Sequence, residues 1–203
     1  MIVVVALPFL AFTIVSWYTV VFEKLPVYGE SKKMSGKKIE HRIADFSLTN
    51  QDGKTVTPEV WKNKIVVANF FFTRCPSICP RMMTNMKKAE EYFSSDPAIA
   101  FTSFSVDPEN DNNGLLRSYA SSLNIHLDNW NLLTGDKKEI YKLARNSFLV
   151  VATNGDGGPT DFIHSDKLVL IDKQKRIRGY YDGTNEKEVN DLIHDIKKLK
   201  DEN

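Results

Sequence analysis

Cysteine is scarce in this chain: 203 residues contain two, Cys75 and Cys79. One pair is too few for a disulfide scaffold. It allows a single disulfide bond, a dithiol or part of a metal site. A basic excess is also missing. Twenty-seven Lys and Arg stand against 26 Asp and Glu, for a net charge of +1, and nothing in that balance points to the concentrated positive face of a nucleic-acid binder. Gly155, Gly157 and Gly158 lack the spacing and the strand-to-helix setting of a phosphate-cradling loop. Internal repeats and low-complexity tracts are absent outside residues 23–42. Residues 1–22, MIVVVALPFLAFTIVSWYTVVF, hold no charged side chain.

That uncharged run would measure ~33 Å as a helix, enough to cross a bilayer core. Trp17 and Tyr18 lie towards its end, where interfacial aromatics gather. It is longer than the apolar core of a secretory leader, has no basic stretch before it and no Ala-x-Ala site after it. A retained transmembrane anchor over residues 1–22 is expected, with a cleaved leader as the alternative. No cysteine lies near it to carry a lipid. Residues 23–42, rich in Lys, Gly, Ser and Pro, are expected to be a tether holding the domain clear of the bilayer. Lys24, Lys32, Lys33, Lys37 and Lys38 follow the run, and on charge alone they would keep the next domain cytoplasmic. Residues 43–203 are long enough for one domain with a full core.

Within that domain, Ile65-Val66-Val67-Ala68-Asn69-Phe70-Phe71-Phe72 is apolar at nearly every position. It predicts a central strand covered on both faces, with Asn69 as a pinned polar group near the site. Helices are expected near 80–94, 113–123, 136–145 and 185–200. In the first, Met82, Met83, Met86, Ala89 and Phe93 form the apolar side, and Lys87, Lys88, Glu90 and Glu91 face water. In the last, Val189, Leu192, Ile193, Ile196 and Leu199 form the inward stripe. Further strands are expected at 44–49, 99–106, near 130–133, at 148–151, and as a hairpin of 168–172 with 176–181. Strands alternating with helices give an α/β domain with a mixed sheet.

The two cysteines stand where the central strand gives way to the first helix. Their spacing is Cys-x3-Cys rather than the Cys-x-x-Cys of a dithiol oxidoreductase. N–H groups at a helix start favour thiolates, and thiolates are soft ligands suited to Cu(I) or Zn. The pair can be dithiol, disulfide or chelate. A copper site also holding Cu(II) needs a further ligand, and histidine is the natural one. Of four histidines, His41 falls in the tether, His126 at a polar helix end and His194 on the last helix. His164 follows a glycine-rich loop and precedes a strand, so it is the candidate ligand, with a structural role as the alternative. Asp161 could orient it. Met82, Met83 and Met86 read as core filler rather than ligands, and Asp107 and Asp111 as loop-capping groups.

These residues together resemble the Sco/SenC family, membrane-tethered assembly factors for the copper A centre of cytochrome c oxidase. The likeness covers about residues 43–199. It rests on Cys75-Pro76-x-x-Cys79-Pro80 after an aromatic strand, Ser105-Val106-Asp107-Pro108 after the next, and His164 followed by a strand and Asp172. It implies a thioredoxin-like fold behind the anchor and one Cu(I) or Cu(II) ion bound by Cys75, Cys79 and His164. The implied partner is the oxidase subunit carrying the copper A site, or another cuproprotein. The implied location of the domain is the periplasm of a bacterium or the intermembrane space of a mitochondrion, against the lysine count; without an Arg/Ser-rich transit peptide the expectation is a single-pass inner-membrane protein facing the periplasm. The alternative activity is thiol-disulfide reduction of the recipient's cysteines by Cys75 and Cys79. Arg74 and Ser77 depart from residues common in the family at these positions, and are expected to make the site more positive.

Overall fold

The structure, a computed structural model, describes residues 24–30, 32–34, 37–151, 155, 158, 162–163 and 165–202. The expected anchor over 1–22 lies outside them, as do His164 and Asp161. Among the described residues no helix is long and apolar enough to cross a membrane.

A short hairpin, β1 (Lys32–Met34) with β2 (Lys37–Ile39), precedes the main body. The main sheet has seven strands among the described residues: β3 (Leu48–Asn50), β4 (Thr55–Val56), β5 (Ile65–Phe71), β6 (Ile99–Ser105), β7 (Trp130–Thr134), β8 (Lys167–Ile171) and β9 (Ile177–Asp182), in the order β4-β3-β7-β6-β5-β8-β9. β5, β6 and β7 run parallel, while β8 pairs antiparallel with both β5 and β9. Four α-helices of the described residues accompany them: α1 (Ile78–Tyr92), α2 (Asn113–Ser122), α3 (Lys137–Lys142) and α4 (Glu186–Asp201). This mixed sheet flanked by helices fits the thioredoxin-like architecture.

Every residue of β5 is buried, and the two-residue period of a strand divides them between two cores. Ile65, Val67 and Phe71 pack with Met82, Met83 and Met86 of α1 and with the stripe of α4. Val66, Ala68 and Phe70 pack on the other face with Trp61, Phe104 and Phe148. Burying each of the Val, Ile and Phe side chains stabilises the fold by roughly 1.5–3 kcal/mol, which is why the strand can be apolar throughout. Asn69 is pinned as expected: Ser103 Oγ donates to its Oδ1 at 2.6 Å, and its Nδ2 donates to Met83 Sδ at 3.3 Å. Trp130 Nε1 donates to Ser103 Oγ at 2.9 Å, so this polar knot spans β5, β6, β7 and α1.

Three local expectations fail. Phe148–Val151 is not a strand. A π-type turn over Leu143–Ser147 leads into it, Leu149 takes φ +54°, and Val150 N–H donates to Ala144 O at 3.1 Å. The chain curls to seat the Phe148 ring in the core rather than extending. Glu90 does not face water but is fully buried, because Met83, Met86 and Glu90 recur at the helical spacing of the inward stripe. Residues 24–30 do not trail freely. Leu25 packs on the core of the α1 face, and Tyr28 N–H donates to Ile177 O of β9 at 2.9 Å.

Candidate functional site

β5 and β6 are parallel neighbours, so their C-terminal ends open side by side, where sheets of this kind carry sites. Val106 N–H donates to Phe71 O at 2.8 Å and closes that edge. Beyond β5 the chain turns, with Cys75 N–H donating to Phe72 O at 3.3 Å, and enters α1 at Ile78, two residues before Pro80. The turn is fixed from beneath by Asp111, whose carboxylate is fully buried. It accepts from Thr73 N–H at 3.1 Å, Thr73 Oγ1 at 2.5 Å and Ser105 Oγ at 2.6 Å. The expectation of a loop-capping aspartate understated this role: Asp111 ties the loop after β6 to the turn carrying the first cysteine. On the surface, Arg74 repeats that link by pairing with Asp107 at 2.9 Å.

The first turn of α1 lacks an oxygen cap. Ser77 stands at the cap position but its side chain accepts nothing there. Instead the Cys79 N–H donates to Cys75 Sγ at 3.3 Å. The first cysteine's sulfur therefore does what a serine or aspartate oxygen does at other helix starts, and the three-residue spacer lets the chain reach back to do so.

Both cysteines are free thiols, and their surroundings separate them. Partial burial works against the Cys75 thiolate, but backbone N–H groups of Cys79 and Ser77, the Cys79 thiol and the Ile78 N–H outweigh it and hold its pKa below the ordinary value. Burial pushes the Cys79 thiol up to about 12; a hydrogen bond from the Phe72 backbone opposes this, while Cys75 and Asp111 add to it. The pair is thus one nucleophile and one retained proton. Arg74, expected to make the site more positive, is engaged by Asp107, and the groups that favour the Cys75 thiolate are N–H and S–H donors.

A cleft of about 260 Å³ opens beside the thiols, walled by Phe70, Phe71, Phe72, Ile78, Val106 and Val150. Ile163 and Ser165 line it too, so the described residues on either side of His164 belong to the same cleft as both cysteines. His41 is engaged elsewhere: its Nε2–H donates to Ser147 O at 2.7 Å. His126 stands away from the cleft, against Glu90 of α1 at 3.2 Å. The three methionines are fully buried core, as expected. Tyr119 of α2 is a neighbour that the sequence did not single out. Its ring stacks on Phe71 at 5.4 Å, and burial, then the charges of Cys79, Cys75 and Asp111, raise its pKa. An aromatic on the inward face of α2 was the only available signal.

Two soft donors at a helix start, beside an apolar cleft at the strand ends, form a chelate or redox pair. A family model described as SCO1/SenC matches residues 34–201. The chain belongs to the SCO1/SenC family. The matched stretch includes Cys75, Cys79, Asp111 and His164. The SCO1 protein homolog of Bacillus subtilis (strain 168) is 32% identical over 161 residues, 78% of this chain and 83% of that protein. The structure of BsSco, described as a member of the Sco family of cytochrome c oxidase assembly proteins with a disulfide switch, is 32% identical. It superposes with a TM-score of 0.67 over 78% of this chain and 93% of its own. Bradyrhizobium japonicum ScoI with copper bound is 27% identical, with a TM-score of 0.60 over 77% of this chain and 98% of its own.

Proposed function

We propose that this protein is a membrane-tethered copper metallochaperone. It takes one Cu(I) or Cu(II) ion as cargo on Cys75, Cys79 and His164 and helps assemble the copper A centre of cytochrome c oxidase or a comparable cuproprotein site. The observation that carries the reading is the Cys79 N–H to Cys75 Sγ contact of 3.3 Å, which brings two soft donors together at the mouth of a cleft also lined by Ile163 and Ser165. The donor set fits the cargo. Thiolates select soft cations, and an imidazole suits either copper oxidation state. Binding displaces the Cys79 proton, so it releases acid. Few ligands and a half-exposed Cys75 leave room for a recipient's own cysteines and histidines to take the ion by exchange. In this reading residues 1–22 are a single-pass inner-membrane anchor, 23–42 the connection and 43–203 the copper-binding domain, which faces the periplasm.

A second reading is favoured by the inequality of the thiols. With Cys75 biased to thiolate and Cys79 kept protonated, Cys75 can attack a recipient disulfide and Cys79 can resolve the mixed disulfide. The recipient gains two thiols and this protein gains a Cys75–Cys79 disulfide. Copper titration of a reduced fragment beginning at Lys24, beside its His164→Ala variant, separates the readings. The chaperone predicts one copper per chain and a thiolate-to-Cu(II) charge-transfer band that is lost or shifted in the variant. No copper binding, with turnover of the disulfide, would leave the reductase.

A further inference from the structure

Arg178 at the start of β9 is almost fully buried, with 4% of its side chain exposed. Such a guanidinium needs acceptors for its fork of donors. Asp172 Oδ2 at 3.3 Å and Glu202 Oε2 at 2.6 Å supply two. The others come from the far end of the sequence: Leu25 O at 2.6 Å and Pro26 O at 3.0 Å. Leu25 N–H completes the ring by donating to Glu202 Oε1 at 2.7 Å. A buried charge is therefore committed to holding two residues that adjoin the uncharged run, which stops at Phe22.

Three residues of chain reach at most about 11 Å. Beyond the hydrocarbon core of a bilayer lies a headgroup layer of about 5–7 Å per side. A domain bonded at Leu25 therefore has no slack to stand away from the headgroups. Val27 and Tyr28, each 40% exposed, lie on the same segment, and a tyrosine suits that interface. The thiol pair lies at the opposite end. α4 has sixteen residues, about 24 Å of helix. Its C-terminal end meets Leu25 through Glu202, while just before its first turn Thr184 O accepts from Arg81 of α1, two residues past Cys79, at 3.1 Å.

We propose that the end of the domain formed by Leu25–Tyr28, the β8–β9 turn and the last turn of α4 is a membrane-facing surface. Arg178 holds it against the headgroup layer, so the thiol pair is presented away from the bilayer at a fixed height. This rests on the reading of residues 1–22 as a transmembrane anchor. The recipient surface it serves then stands above the headgroups, at a height of the order of the ~24 Å length of α4.

The test uses the full chain in vesicles containing a nickel-chelating lipid, which relaxes nearby nitroxides. One sample carries a spin label on Cys75 in a Cys79→Ser background. A second carries it at Lys173→Cys, with both native cysteines changed to serine. The label at 173 is expected to relax at least twice as strongly as the label at 75. Inserting ten Gly/Ser residues between Lys24 and Leu25 leaves every Arg178 bond in place and should abolish that contrast. Equal relaxation of both labels in the native-length chain overturns the proposal while leaving the anchor intact. Failure of the chain to float with the vesicles overturns the anchor reading, and this proposal with it.

Discussion

Replacing Asp111 by alanine removes the acceptor of three hydrogen bonds at once, from Thr73 N–H, Thr73 Oγ1 and Ser105 Oγ. Bonds to a charged acceptor contribute roughly 1.5–3 kcal/mol each. Against their sum stands the several kcal/mol it takes to desolvate the carboxylate. The net loss should be about 3–5 kcal/mol, the range seen when one partner of a buried charged network is deleted. The Asp111→Asn variant keeps the shape and one carbonyl acceptor, so about 1–2 kcal/mol is expected there. Because Thr73 lies two residues before Cys75, loosening it should also weaken copper binding about tenfold or more, equivalent to ~1.4 kcal/mol. The assay is urea unfolding of a fragment beginning at Lys24, followed by copper titration of each variant under conditions where it is folded. An alanine variant within about 0.5 kcal/mol of the parent, the ordinary scatter of surface changes, and with unchanged copper affinity would refute the account of Asp111 as the fastening of the thiol turn.

The opposite biases of the two thiols predict selective alkylation. At pH 8 a thiol with a pKa of about 12 is thiolate in only ~10⁻⁴ of molecules, so iodoacetamide followed by peptide mass mapping should find Cys75 modified first, and prior labelling of Cys79 would contradict the assignment. Glu90 is fully buried with neither oxygen hydrogen-bonded among the described residues; His126 Nδ1 lies 3.2 Å from Oε2 without the alignment of a hydrogen bond. Glu90→Met should therefore raise stability by about 1–3 kcal/mol, and a lower urea midpoint would show that the pair matters more than its geometry indicates. Asp96 is paired with Lys200, and that bond together with the Ala98 N–H lowers its pKa below 3.8. Its contribution is complete above the unfolded value and drains as pH falls through the folded one, so Asp96→Asn should flatten the acid limb of the stability curve below about pH 4. An unchanged limb would place the acid sensitivity elsewhere.

What could be read from the sequence was whatever repeats at the period of its own element. β5 is apolar at both parities, and α4 carries its stripe at 189, 192, 196 and 199, so both were legible. The inward phase of α1 was equally periodic, yet Glu90 was read by its charge rather than its position. Pro80 does lie in the first turn of α1, but the helix starts two residues earlier than expected, because its capping acceptor is a sulfur four residues before the N–H it serves. Phe148–Val151 has strand-like composition, but the left-handed Leu149 depends on where the Phe148 ring must go. Leu25 carried no local sign of docking, since Arg178 is 153 residues away. The thiol pair was legible from two cysteines alone; Asp111's burial was not, because its partners lie on another loop and another strand.

The double insulation of β5 sets two clocks in one short stretch of chain. Its amides are sealed by a core on each face and by neighbours on each edge, so they should exchange with deuterium only through global unfolding. The residues from Arg74 to Ser77 are held by one long backbone bond, the exposed Arg74–Asp107 pair, the Cys75 sulfur bond and the Asp111 fastening, and should exchange through local opening, far sooner. Hydrogen exchange resolved by residue should show that break between Phe71 and Arg74. Rearranging ligands around an ion then requires motion in only a handful of residues. A site can release its cargo quickly while the frame that aims it stays native for the lifetime of the fold.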